Sequence, residues 1–326
     1  MTKLDVKDRK LLYHLSRNSR LSYTQLSKRI GLSKNAVKYR IERLKREGVV
    51  KKFASVVNLR SLGLSTVAIL FKFNDDVYEN KAILDYFVNH DYSSGVVTLS
   101  GQWDVFAEFV WKDINHLHNI LNGILEYFGD VLNSYETFSS LETLRVEHLV
   151  SSFYEDLDLE EIKHGKRSYK KYDIDEVDKK ILEMLNEDSS MHFLDIAKRI
   201  NSSIDVVRYR IKNMMDSEII IKCFSEIDLS KLGYTEYVYT LKLRNISNEE
   251  LNKVKRKLQE DKNIAYAFYD VTRSHFVFVC AFKKAKDIDH LSRSIRKEYS
   301  DVIEAENYFI VTEQNKFNLF PKGLVG

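Results

Sequence analysis

The sequence predicts an α+β fold in which one unit occurs twice, each copy holding three short helices and an exit strand followed by a βαββαβ domain. Three observations predict it. First, Asp8–Ile41 (DRKLLYHLSRNSRLSYTQLSKRIGLSKNAVKYRI) aligns without a gap on Asp178–Ile211 (DKKILEMLNEDSSMHFLDIAKRINSSIDVVRYRI), and the register continues from NLRSLGLS (58–65) onto DLSKLGYT (228–235). Self-similarity at a fixed offset marks a duplicated structural unit. Second, apolar residues at the start of each copy recur every three to four positions, the period of a helix. Third, the remainder of each copy breaks into short alternating runs interrupted twice by amphipathic stretches. GDVLNSYETF (129–138) then aligns on SDVIEAENYF (300–309), so the repeat covers nearly all of the 326 residues.

Each element follows from local chemistry. Leu11, Leu12 and Leu15 mark a first helix, Leu26 and Ile30 a second, and Val37, Ile41 and Leu44 a third. Ser22 and Ser33 stand where a hydroxyl accepts the open amides at the start of helices two and three. The IGLS between those helices is a tight turn, which makes a helix-turn-helix, and EGVVKKFASVVN (47–58) supplies a wing or exit strand. Next come a strand at 66–73, an amphipathic helix at 80–90 and strands at 94–100 and 103–111 around a Gly-Gln turn. A helix at 114–128 and a strand at 130–140 complete a ferredoxin-like order. The second copy repeats it as YVYTLKL, NEELNKVKRKLQE, IAYAFYDV, FVFVCAF, IDHLSRSIRKEY and VIEAENYFIV. The expected domains are 1–52 and 53–150, a charged, exposed linker at 151–171 with room for a short helix, then 172–222 and 223–326.

The apolar fraction of 44% is enough to build real cores, which excludes a disordered chain. No apolar run approaches the ~20 residues of a membrane helix, and MTKLDVKDRK is not a signal peptide, so a cytoplasmic protein is expected. Cys223 and Cys280 fall in different segments, without metal spacing or a disulfide framework. His116 and His118 lie two apart on a helix and share no face, which argues against a metal pair. There is no Ser-His-Asp set and no Gly-rich phosphate loop. The expectation is therefore no catalytic residue, no metal and no cofactor. Richness in Lys, Ile and Asn points to a prokaryote with AT-rich DNA, an archaeon in particular.

A net charge of +3 conceals the informative feature. Residues 1–52 carry 16 Lys and Arg against 4 Asp and Glu, a net of +12, whereas 53–150 carry a net of −8 and 171–222 a net of −2. Such a concentrated cation is the electrostatic footprint of a module that binds a polyanion. With Val37, Ile41 and Leu44 turned inward, Asn35, Tyr39, Glu42, Arg43 and Arg46 face outward, flanked by Lys34, Lys38 and Lys45 on one side and Arg40 on the other. In the major groove of double-stranded DNA, Asn35 would pair with adenine and Lys34 or Lys38 with guanine or phosphate. Arg40, Arg43 and Arg46 would hold the backbone. The DNA-binding candidates are thus Lys34, Asn35, Lys38, Tyr39, Arg40, Arg43 and Arg46. In the second copy Asp205 stands at the position of Asn35, Asn213 of Arg43, Asp216 of Arg46, Ile204 of Lys34 and Met215 of Lys45. A carboxylate facing phosphate loses counterion-release energy. Two readings stay open: a second head with weak or no DNA contact, and a second head that reads a half-site of different sequence.

This order of elements, with LDVKDRKLL, TQLSKRIGLSKNAVKYRIERLKREGVV, NLRSLGL and LSGQWDVFAEF, resembles the Lrp/AsnC (feast/famine) family of transcriptional regulators. Counted as two fused units, the resemblance covers about 300 of the 326 residues. It implies sequence-specific DNA binding and a ferredoxin-like domain that dimerises and binds an amino-acid effector. It places the turn Gly101, Gln102, Trp103 and Asp104 beside the effector pocket, with Gly101 permitting close approach and Asp104 accepting from an α-amino group. The second copy has Thr272–His275 there, so one effector site per chain is expected, in the first unit or between the units. Fused units can form the family's dimer internally, as a pseudo-dimer. Alternatively, two chains form a homodimer whose basic heads read a palindrome. Sirohaem decarboxylases resemble the same architecture, and for that chemistry Arg273 and His275 are the candidates to meet a porphyrin carboxylate. A DNA-independent amino-acid sensor is a third class, and it predicts no salt-dependent duplex binding.

Overall fold

The computed structural model describes residues 2–325 apart from 75, 77–79, 141, 160–172, 245, 271 and 274. In chain order the first copy runs α1 (Val6–Arg17), α2 (Tyr23–Ile30), α3 (Lys34–Arg46), β1 (Val50–Val57), β2 (Ser65–Phe73), α4 (Lys81–Asn89), β3 (Ser93–Ser100), β4 (Val105–Trp111), α5 (Ile114–Phe128), β5 (Leu132–Ser139) and β6 (Glu142–Val146). The second copy runs α6 (Glu176–Glu187), α7 (Phe193–Arg199), α8 (Ile204–Asp216), β7 (Ile220–Ile227), β8 (Thr235–Leu243), α9 (Asn248–Glu260), β9 (Ile264–Asp270), β10 (His275–Phe282), α10 (Lys286–Tyr299) and β11 (Ile303–Phe317). These residues form two compact units that do not follow the repeat. One, the head unit, joins 1–62, 147–234 and 324–326, and the other, the sheet unit, joins 63–146 and 235–323.

The head unit contains both helix-turn-helices. Asp5 caps α1 in a capping box closed by Asp8, and Asp175 caps α6 the same way with Asp178. Ser22, Ser33 and Ser203 cap α2, α3 and α8 through backbone amides three residues on. The two exit strands pair antiparallel, with Ala54 opposite Phe224 and Ser55 opposite Cys223. The packing is reciprocal: α1 lies on β7 and α6 lies on β1. The Ser19 amide donates to the Cys223 carbonyl and the Ser189 amide to the Phe53 carbonyl, each at 3.0 Å. Where the two copies meet, the Ser19 and Ser189 hydroxyls are 2.7 Å apart. A three-helix unit this small buries too little surface to be robust alone, and here each copy's strand completes the other copy's core.

Part of the expected linker belongs to this core. Phe153 and Tyr154 are buried. Tyr154 packs edge-on against Tyr13 at 4.9 Å, and Arg9 pairs with Asp156, donates to the Phe153 carbonyl and lies over the Phe153 ring. Residues 160–171 of the expected linker lie outside the described residues.

The turn after the third helix differs between the copies. Gly48, after α3, has φ +72°, and its counterpart Glu218 is held at φ +57°. A side chain in the left-handed region costs about 1 kcal/mol or more. Glu218→Gly is therefore expected to stabilise the chain by roughly 1 kcal/mol, read as a raised urea midpoint at unchanged m-value.

In the sheet unit the described strands form a nine-stranded antiparallel sheet in the order β5-β2-β4-β3-β11-β8-β10-β9-β6. Within it each copy has the ferredoxin-like 4-1-3-2 order. The copies also exchange strands: β11 pairs first with β8 of its own copy, then with β3 of the other. In the same way β6, following β5, pairs with β9. One face of each four-stranded sheet carries its own helices, over cores around Phe71, Phe87 and Phe109 in the first copy and Tyr239, Phe276 and Phe278 in the second. The other faces share a single core in which Ala68, Leu70, Leu99, Trp103, Phe106 and Phe138 meet Val238, Phe268, Val277 and Phe309. The sheet unit is thus an internal pseudo-dimer.

Candidate nucleic-acid interface

The reading helix of the first head is set by three features. Gly31 ends α2 at φ +70°, a conformation that suits glycine. Ser27 accepts the Gly31 and Leu32 amides on its carbonyl while its hydroxyl donates to the Leu32 carbonyl, which closes the turn. Val37, Ile41 and Leu44 are buried. Lys34, Asn35, Lys38, Tyr39 and Arg46 are consequently exposed on α3. Lys38 has Glu42 at 3.8 Å one turn on, with both side chains exposed, a pairing too weak to withhold it from a polyanion. Lys28 and Arg29 at the end of α2 are also exposed; the periodicity of the third helix gives no signal of them, because they lie on the helix before it.

Arg40 and Arg43 are placed differently from the other five candidates. Arg40 donates to both carboxylate oxygens of Asp5, at 2.9 and 2.8 Å, and to Asp8 at 2.6 Å. The Arg43 Nη2 lies 2.6 Å from the other oxygen of Asp8. Asp8 is 1% exposed. These charge-assisted contacts tie α3 to the start of α1 and turn both guanidiniums inward. This departs from the outward placement expected of Arg43; Arg40, expected on the flank of α3, turns to Asp5 and Asp8. The sequence did not show it because Asp8 is more than 30 residues away from either arginine.

The second head keeps the frame and loses the charge. Val207, Ile211 and Met214 are buried. Arg210 repeats the contacts of Arg40, at 2.8 Å to Asp175 and 2.9 Å to Asp178. Arg208 pairs with Asp205 at 2.9 Å within its own helix. Asp205 and Asp216 are exposed, so on α8 two carboxylates occupy the face that on α3 carries Asn35 and Arg46.

The candidate effector turn is built into the sheet unit. Gly101, at φ +128°, and Gln102 are exposed, but Trp103 is buried in the shared core. Asp104 accepts from the Lys72 ammonium at 2.7 Å and from the Phe73 amide at 2.8 Å. Both its oxygens thus hold the end of β2, the work an amino ligand was expected to claim. At the matching turn of the second copy, Arg273 donates to the Thr137 carbonyl at 3.1 Å and lies 3.4 Å from Glu136. His275 is buried, its Nδ1 is 2.8 Å from the Arg273 carbonyl, and burial lowers its pKa. Among the described residues no group of three or more His, Cys, Asp or Glu could hold a metal ion, and no helix is long and apolar enough to cross a membrane.

The winged helix-turn-helix DNA-binding family matches this chain twice, at residues 4–51 and 174–221. Over 107 residues the chain is 34% identical to an HTH-type transcriptional regulator of Pyrococcus horikoshii, a match covering 32% of this chain and 71% of the relative. A second such regulator, from Pyrococcus furiosus, is 28% identical over 152 residues, which is 99% of its length but only 46% of this chain. A whole regulator of that kind therefore corresponds to one repeat here. Among solved structures, the siroheme decarboxylase NirDL aligns over 98% of this chain and 96% of its own with a TM-score of 0.65, at 15% identity. At that identity the likeness concerns the two-unit fold.

Proposed function

Because the chain belongs to the Lrp/AsnC family of HTH-type transcriptional regulators, with the family's two-domain unit present twice in tandem, we propose that it is an asymmetric regulator whose first head carries the affinity for duplex DNA. The observation that carries this reading is the contrast between the two reading helices. On α3 Lys34, Lys38 and Arg46 are exposed beside Asn35 and Tyr39. On α8 the equivalent face has Asp205 and Asp216, and Arg208 is paired.

In this reading Lys34, Lys38 and Arg46 neutralise phosphates, and Asn35 and Tyr39 face base edges. Arg40 and Arg43 act at one remove, by fixing the angle of α3 against α1. The second head completes the first, lending β7 and α6 to the shared core without competing for phosphate. Effector control belongs to the sheet unit, where the exposed Gly101 and Gln102 offer the approach and Asp104 shapes the turn. The decarboxylase alternative draws no support from Arg273 and His275, which are engaged with β5 and with each other.

Binding to a random-sequence duplex across a salt series tests the reading. Release of about one counterion per neutralised phosphate predicts a log–log slope near −3 or steeper. A flat, weak response would favour a DNA-independent sensor.

A further inference from the structure

The difference in charge between the heads has a counterpart in the helices that cover the sheets, with the copies exchanged. Burial of Ile288, Leu291, Ile295 and Tyr299 turns one side of α10 to its sheet. At 100° per residue, Lys286, His290, Arg293 and Lys297 then fall together on the opposite side, and all four are exposed. The aligned positions of α5, 171 residues earlier, hold Asn115, Asn119, Asn122 and Glu126. Lys284, in the turn before α10, is also exposed and stands where the first copy has Asp113. No carboxylate shares the stripe, and those beside it are engaged elsewhere. Glu298 accepts from Lys257 of α9 and from the Tyr299 hydroxyl at 2.8 Å, and Asp289 accepts from the Tyr308 hydroxyl at 2.7 Å. Asp287 is half-buried on the flank that carries Glu298. Among the described residues Lys286, Arg293 and Lys297 take part in no ion pair. Solubility alone does not require such a row: α5 does without it, and like charges four residues apart, as at Arg293 and Lys297, work against the helix.

We propose that this face of α10 is a second contact for duplex DNA, one that takes the phosphate backbone beyond the segment under α3. It rests on the reading of the first head as a DNA-binding one. At 1.5 Å per residue the stripe from Lys286 to Lys297 is about 16 Å long, which matches about five nucleotide steps along one strand. Long cationic side chains on a smooth helix face meet phosphates and carry no base information, so the contact adds affinity without adding sequence preference. Both surfaces belong to one chain. Once α3 holds a duplex, the flanking DNA is presented to α10 at a raised effective concentration, and a contact too weak to act alone contributes. The composition of the stripe favours a uniform polyanion over an acidic protein. A protein interface centres on apolar or aromatic anchors, and the outward face of α10 has none between Lys286 and Lys297.

Fluorescence anisotropy of the full chain with two random-sequence duplexes tests this. One duplex has about 12 base pairs, little more than the helical turn under one reading helix, and the other about 60, with room for several further turns. Wild type should show a salt slope steeper by about 2.7 on the long duplex than on the short one. Lys286→Ala/Arg293→Ala/Lys297→Ala should lose that increment, bind the long duplex roughly tenfold more weakly near physiological salt, and bind the short one as wild type does. Alanine keeps the helix, and Lys286→Arg/Arg293→Lys/Lys297→Arg should retain the wild-type slope, because charge and not side-chain identity is read. Equal slopes for wild type on the two duplexes would overturn the proposal. So would a triple alanine variant that keeps the wild-type slope on the long duplex, as an acidic protein partner requires, or one that loses as much on the short. The reading of the first head is checked separately: Lys34→Ala/Lys38→Ala/Arg46→Ala should weaken binding to the short duplex, and no change there would overturn that reading and this contact with it.

Discussion

Replacing Lys34, Lys38 and Arg46 together by alanine is expected to lower duplex affinity by roughly two orders of magnitude near physiological salt, and to make the salt slope shallower by about 2.7. All three side chains are exposed on α3, away from the buried Val37, Ile41 and Leu44, so the head should keep its thermal midpoint. Filter binding or fluorescence anisotropy on a random-sequence duplex reads the affinity, and circular dichroism reads the fold. Substituting Arg43 instead would mix two effects. Its guanidinium lies 2.6 Å from the buried Asp8, so Arg43→Ala leaves a buried carboxylate short of a partner and loosens α3 from α1. An unchanged slope in the triple variant would mean that the exposed cations of α3 do not meet phosphate.

The second large effect concerns stability. Phe268→Ala should cost about 3–5 kcal/mol. Phe268 is fully buried in the core shared by the two sheet faces, among Ala68, Leu70 and Phe138 of the first copy. Because strands cross between the copies at β3–β11 and β9–β6, the loss should appear in both copies together. Hydrogen exchange would show protection falling in β2 and β4 as well as in β8 and β10. A loss confined to the second copy would mean that the two ferredoxin-like halves are independent domains.

The legible and illegible parts of this molecule divide along a physical line. Features governed by neighbours in sequence were readable: the caps at Ser22 and Ser33, the buried stripe of α3, and the α5 helix at Ile114–Phe128. The duplication was readable because the same stripe recurs 170 residues later. What the sequence hid depends on partners far along the chain. β6 and the second half of β11 pair with strands of the other copy, so no local alternation announces them. The stretch from Phe153 to Asp156 reads as linker until Tyr13 is seen to receive Tyr154, and Arg9 to receive Phe153 and Asp156. The inward turn of Arg40 and Arg43 needs Asp8 in place, and the satisfied carboxylate of Asp104 needs Lys72 and the Phe73 amide. Charged side chains report their sign in the sequence, but whether that charge is available to a ligand is decided by tertiary partners.

Substitution in the second head tests most directly whether each chain has one charged reading head. Arg208→Ala/Lys212→Ala removes two cations from the reading helix of that head and touches none of its buried residues. The expected result is the wild-type salt slope and affinity on a random-sequence duplex. A slope shallower by about 1.8, two phosphate contacts' worth, together with a loss of affinity comparable to that from the first head, would contradict it and make the chain a reader of two half-sites.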